Sequence, residues 1–388
     1  MRIVDVCGFY TPHGGGVRTY VERKLRTGPA AGNEIVVIAP GETDSVTEHG
    51  DGAWLVTIAS PTFPLDRRYR YFDDEAALHR ALDHWRPDLV EVSSPWQSAD
   101  MVARWPGSAP RALVMHSDPL SAYAYRWFGL VASYERIDGW FRWFWRRLRR
   151  LDTAYDFVIS ASSDLSARLL RGGMRHVRTV PMGVEPGIFS PALRDEAMRA
   201  ELLARCGLAE DATLAIGVGR HAPEKRWPMV MESAHLAGMN RPLGLVLIGD
   251  GRERARVAKA ASGMPHVALY SATTDRRQLA RVMASADVLV HGCEAETFCM
   301  VAAEARASGL PLVVPDRGGA SDQFRPGQGA RYQAQSGRDL YAKLDAFLAD
   351  DPVAHRRRAT AEAAQVRTMD MHFLALFATY LGTAMLGG

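Results

Sequence analysis

A chain of 388 residues, 47% hydrophobic and 23% charged, is long for one hydrophobic core and sufficient for two. A net charge of +3 is too small to imply nucleic-acid binding, and no apolar run is long enough to span a bilayer. The four cysteines, Cys7, Cys206, Cys293 and Cys299, lack zinc or redox spacing, so buried free thiols in a reducing cytoplasm are expected. The start, MRIVDVCGFY, enters a strand without a signal-peptide pattern, so any membrane contact is expected to be peripheral, on the inner face.

Residues 2–7 are predicted as a buried strand, 8–16 (GFYTPHGGG) as a glycine-rich loop and 17–25 as a helix. Strand, glycine loop and helix form the phosphate-cradling unit of an open α/β sheet, although the dinucleotide pattern G-x-G-x-x-G is absent. Gly14, Gly15 and Gly16 would let a ligand approach the backbone closely; the plain alternative is a flexible turn. Further strands are predicted at 35–39, 55–58, 89–92, 112–115 and 157–160, separated by helical stretches such as 75–85. This alternation argues for a mostly parallel sheet covered on both faces. His116 follows the strand at 112–115, with Asp118 close behind.

Residues 139–150, GWFRWFWRRLRR, interleave Trp140, Trp143 and Trp145 with arginines that include Arg146 and Arg147. Rings at headgroup depth and arginines on anionic lipid suit a membrane interface. The competing reading is a core helix with its arginines turned outward. Residues 67–70 form a second basic-aromatic patch. The proline- and glycine-rich segment 180–191, VPMGVEPGIFSP, reads as a linker. It divides a first domain, 1–182, from a second, 183–370, with strands at 214–218, 243–248, 267–270, 288–290 and 312–314 and an apolar tail, 371–388.

Arg220 and Lys225 follow the strand at 214–218, where open α/β sheets bind ligands. Two cations around one turn can stabilise the charge that develops on a leaving diphosphate, whereas a solvated basic turn is the bland reading. Residues 293–322 read as a loop with Glu296, a helix over 298–308 with Glu304 inside it, a stop at Gly309 and Pro311, a short strand and the pair Gly318-Gly319. Free amides at the helix start, from Phe298, Cys299, Met300 and Val301, suit an anion flanked by the two carboxylates. No D-x-D metal clamp occurs, so metal-independent binding is expected, with no cofactor beyond the substrate.

The run E-T-F-C-M-V-A-A-E-A-R-A-S-G resembles the paired-glutamate motif of retaining nucleotide-sugar glycosyltransferases of family four, with Cys299 where the family usually has glycine. Gly219 to Lys225 resembles the family's diphosphate motif, and 180–191 its interdomain segment. The resemblance implies an α/β GT-B fold of two Rossmann-like domains facing a central cleft, with the last helix crossing back to the first domain. It implies that Arg220 and Lys225 bind the diphosphate, Glu304 the ribose and Glu296 the donor-sugar hydroxyls. Gly15 and Gly16 would approach the donor, and His116 would contact its sugar. A UDP-sugar is the expected donor, with a GDP-sugar as the alternative, and the aromatic-arginine stretch suggests a lipid or lipid-linked acceptor. Another GT-B enzyme, such as an epimerase or phosphorylase, and a non-catalytic binding protein remain open.

Overall fold

The computed structural model describes all residues except 13–15, 65, 117, 119, 121–123, 129–130 and 385–388; the side chains of 126, 127, 134, 383 and 384 are also outside it. Contacts divide the chain into two compact units. The first comprises Met1–Asp118, Val131–Pro181 and Met369–Gly388, and the second is built on Met182–Thr368.

The predicted apolar runs are strands. The first unit contains β1 (Arg2–Val6), β2 (Glu34–Gly41), β3 (Ser45–Glu48), β4 (Ala53–Ala59), β5 (Leu89–Val92), β6 (Arg111–Met115), β7 (Phe157–Ser160) and β8 (Val177–Thr179), in the spatial order 3-4-2-1-5-6-7-8. All neighbours are parallel except β3 and β4. Helices cover a parallel sheet on both faces, so its central strands are apolar throughout rather than alternating. Edge strands β3 and β8 carry mostly exposed residues, so no apolar run announced them.

One charged cluster lies inside this unit. Lys24 Nζ donates to Asp5 Oδ2 at 2.9 Å and to Glu91 Oε2 at 2.5 Å, with all three side chains fully buried. Ser93 Oγ donates to Asp5 at 2.8 Å, and Tyr380 Oη donates to Glu91 at 2.6 Å. Tyr380 lies on the last helix, Met369–Ala384, whose Phe373, Leu376 and Phe377 are also buried. His372 Nδ1 donates to the Pro181 carbonyl at 2.9 Å, which leaves Nε2 to accept from Tyr20 Oη at 3.0 Å. Desolvation raises the Glu91 pKa, against the pull of Lys24.

The second unit holds a parallel sheet of β9 (Thr213–Val218), β10 (Leu243–Ile248), β11 (Val267–Tyr270), β12 (Val288–Val290), β13 (Leu312–Pro315) and β14 (Gly329–Tyr332), ordered 11-10-9-12-13-14. Its core packs Trp227, Met231, Leu245, Val290, Tyr332 and Leu340. β14 opens with glycine and carries one buried residue, so the sequence offered no strand signal there.

Lys24→Met should leave two buried carboxylates without their cation and cost about 3–5 kcal/mol in denaturant unfolding. Tyr380→Phe, which removes one donor to Glu91, should cost about 1–3 kcal/mol. Wild-type stability in Lys24→Met would show that the cluster is not held by this charge.

Candidate functional site

In the second sheet, β9 has β10 on one side and β12 on the other. Chain order reverses between β9 and β12, and at such a switch point the loops at the strand C-termini part to leave a crevice. From β9 the chain runs through Gly219 and Arg220 into the short turn Pro223–Lys225, then the helix Trp227–Gly238. From β12 it runs through His291 and Glu296 into the helix Met300–Ala307. Backbone packs on backbone around these loops. A Cβ on Gly292 would lie 2.4 Å from the Lys225 carbonyl oxygen, and one on Gly318 would lie 2.1 Å from that of Glu294. Gly319 N–H donates to the Glu296 carbonyl at 2.7 Å, and Trp227 Nε1 donates to the Arg220 carbonyl at 3.0 Å.

The loops bring Lys225 Nζ and Glu296 Oε1 into a hydrogen-bonded ion pair. Burial works against both charges, yet each partner outweighs it: the Lys225 pKa is raised and that of Glu296 lowered. The fully buried His291 ring places Nε2 3.6 Å from Glu296 Oε1 and 3.6 Å from Cys299 Sγ. Desolvation, then Lys225, pushes its pKa down to about 4, while burial pushes the Cys299 thiol well up. His291, Glu296 and Cys299 are close enough to share a metal ion. The donor set fits one poorly, because the Lys225 ammonium already holds the carboxylate and would sit against an incoming cation.

The predicted helix 298–308 begins two residues later than expected, at Met300. Cys299 adopts the left-handed conformation, φ 63°, and its carbonyl accepts the first helical bonds, from Ala302 and Ala303. That backbone suits the glycine usual in the motif; a side chain there costs about 1–2 kcal/mol. The amides of Met300 and Val301 precede those bonds and form the helix N-terminus. Glu304 lies one turn inside, 5% exposed, paired with Arg276. Arg220 is 79% exposed, and its guanidinium sits 3.3 Å from Glu224, so of the two predicted cations only Lys225 is drawn into the carboxylate cluster.

In the first unit, Gly16 opens the helix Gly16–Ala30, and Gly15 lies outside the described residues. His116 follows β6, half-buried, with its ring edge-on to Tyr20 at 4.7 Å, and desolvation lowers its pKa to about 4. Asp118 pairs with Arg168 at 2.7 Å.

The aromatic-arginine stretch is two-faced. Trp140 and Trp143 are 56% and 51% exposed, and Arg146 is exposed beside them. Two residues grouped with them belong elsewhere. Trp145, 7% exposed, packs in the core under the Arg168 guanidinium, because the helical repeat turns it inward with Phe144 and Leu148. Arg147 is held by Asp100 at 2.5 Å and the Pro95 carbonyl at 2.9 Å, so it supports the fold.

Sequence reading missed His291, Arg276 and the buried pair Arg226–Glu294. His291 could have been found as the residue ending a short apolar strand. Arg276 lies among neighbouring arginines that carry no pattern, and only the packing of its helix, Arg276–Ser285, against Met300–Ala307 brings it to Glu304.

The family model for glycosyl transferases group 1 matches residues 198–366, and that for glycosyltransferase family 4 matches residues 14–187. A GDP-mannose-dependent alpha-mannosyltransferase of Mycobacterium tuberculosis is 31% identical over 84% of this chain and 82% of its own. A GDP-mannose-dependent alpha-(1-6)-phosphatidylinositol dimannoside mannosyltransferase of the same species is 27% identical over 98% of this chain and 96% of its own. Sucrose-phosphate synthase of Thermosynechococcus elongatus, 20% identical, shares the fold with a TM-score of 0.74 over 99% of both chains. The chain belongs to the family-four glycosyltransferases and has their GT-B fold.

Proposed function

We propose that this glycosyltransferase moves mannose from GDP-mannose, with retention of configuration, to a lipid or lipid-linked acceptor at a membrane surface. The donor follows the relatives, which are named GDP-mannose-dependent; they favour the guanosine alternative over the UDP-sugar that the motif suggested. The mannose of GDP-mannose is α-linked to its diphosphate, so an α product means net retention.

The observation that carries the reading is the Lys225–Glu296 pair at the switch point, beside the helix N-terminus at Met300. Lys225 neutralises the leaving diphosphate, and Arg220, exposed on the same loop, swings onto it. The amides of Met300 and Val301 add the positive end of the helix dipole. Glu296, held ionised, takes donor-sugar hydroxyls, and Glu304 takes the ribose. His116, neutral at working pH with a pKa of about 4, is a hydrogen-bonding group for the sugar rather than a strong base. Charge neutralisation by side chains and amides leaves no step that requires a metal ion.

The exposed face of Trp140, Trp143 and Arg146 is the surface we assign to anionic lipid. No described helix is long and apolar enough to cross a membrane. Surface docking is therefore how these residues would bring the protein to a lipid acceptor.

GDP should raise the melting temperature more than UDP does, because a ligand that binds only the folded state stabilises it. Lys225→Ala should lose about 2–4 kcal/mol of transition-state stabilisation in kcat/KM. Glu304→Ala should weaken free GDP, while Glu296→Ala should leave GDP binding nearly intact and slow turnover. Equal loss of GDP affinity in both carboxylate variants would overturn the division of roles.

Mannosyl transfer should survive exhaustive chelation with EDTA. Loss that magnesium or manganese restores would contradict side-chain neutralisation of the diphosphate.

The protein should sediment with anionic vesicles more than with neutral ones, and less at high salt, since each arginine near the surface adds about 1 kcal/mol of screened attraction. Trp143→Ser with Arg146→Glu should release it at unchanged stability. Trp145→Ser should instead cost about 3–5 kcal/mol of stability, as a core truncation does. Wild-type vesicle binding by the Trp143 and Arg146 variant would remove this face from the proposal.

A further inference from the structure

Glu304 is a carboxylate in a costly place. It is 5% exposed on a helix rich in alanine, and desolvation raises its pKa. An unpaired carboxyl so buried protonates rather than remain charged. The Arg276 guanidinium, donating through Nη2 to Glu304 Oε1, opposes that shift. Glu185, from the segment joining the units, is the other charged group acting on Glu304, and it pushes the pKa up. Arg306, on the same helix, feels Arg325 and Glu362 instead.

Arg276 is itself held in place. Its guanidinium lies 5.0 Å from the Phe189 ring centroid, and its Nε is 3.8 Å from Glu185 Oε2. A cation over a ring face and beside a second carboxylate is restrained in both direction and charge. Segment 180–191 therefore supplies the two side chains that steady Arg276.

We propose that Arg276 is a positioning residue that keeps Glu304 ionised and aimed, so that the carboxylate can accept hydrogen bonds from the ribose hydroxyls of the donor nucleotide at neutral pH. The proposal rests on the donor reading above and adds the residue that makes it work. Arg276 need not touch the sugar; it acts through Glu304. Removing it leaves a buried carboxyl with the charge of Glu185 acting against its ionisation, and that carboxyl takes up a proton. The protonated form accepts ribose hydroxyls less well, so affinity falls as pH falls, and the fall begins at higher pH than in the intact protein.

The test is isothermal titration of GDP into the full-length protein between pH 6 and pH 8. It compares wild type, Arg276→Ala, Arg276→Lys, Glu304→Gln and the double variant Arg276→Ala/Glu304→Gln. In Arg276→Ala the loss of affinity on acidification should exceed that of wild type by about tenfold, the size of effect a nearby opposite charge has on a carboxyl. Arg276→Lys should recover most of the wild-type profile. The double variant should show only the pH dependence of Glu304→Gln, which carries the titration of the GDP phosphate itself, and that identity marks Glu304 as the group that Arg276 controls. A uniform loss at every pH in Arg276→Ala would mark a merely structural role and overturn the proposal. Infrared difference spectra of the ligand-free proteins against Glu304→Gln read the same proton without nucleotide. A protonated Glu304 band at neutral pH is expected in Arg276→Ala and not in wild type; identical bands in the two would overturn the proposal. Failure of wild type to bind GDP would count against the donor reading, and the spectra would still decide the role of Arg276.

Discussion

The site in the second unit depends on backbone pressed against backbone. Four loops leave the C-terminal ends of adjacent strands, and where they meet there is no room for a Cβ: Gly292 against Lys225, Gly318 against Glu294, and Gly249, whose Cβ would lie 1.9 Å from the Gly219 carbonyl oxygen. Contacts of this kind do not adjust as side chains do, because any displacement moves a whole loop. They fix the loops carrying Lys225 and Glu296 at ion-pairing distance before either side chain chooses a rotamer. The helix N-terminus at Met300 is placed by the same packing.

The two units each hold a charged cluster, and the contrast between them separates structure from function. Lys24, Asp5 and Glu91 are sealed, and the last helix closes the cluster through Tyr380. Lys225 and Glu296 remain 12% and 26% exposed, within reach of a ligand. Both clusters carry large desolvation costs offset by pairing. Only the second keeps its charges partly at the surface, where the proposed diphosphate and sugar would compete for them. His291 and Cys299 are buried beside the pair, and desolvation works against the charged form of each.

The stretch 139–150 shows how composition and geometry part company. Its alternation of rings and arginines is plain in the sequence, but the sequence does not say which rings face water. The helix Arg142–Ala154 turns Trp143 out and Trp145 in, and Asp100, far away in the chain, claims Arg147. Two neighbouring tryptophans of the same composition therefore do opposite jobs.

The sequence alone determined the alternation of strand and helix, and it marked Lys225 in the turn after one strand and Glu296 and Glu304 around the start of one helix. These rest on local signals: apolar runs, helix stops and the close spacing of charged residues around a glycine turn. It missed β3, β8 and β14, which lack buried runs and exist because a neighbouring strand offers an edge. It placed the start of the helix at Phe298 because composition cannot show the left-handed turn at Cys299. Tertiary structure alone decided that Lys225 pairs with Glu296 while Arg220 points to solvent, that His291 lies beneath them, and that Arg276 holds Glu304. Each of those pairings joins residues from different strand–helix units. The partner is set by which strands and helices pack side by side, and chain order does not encode that adjacency locally.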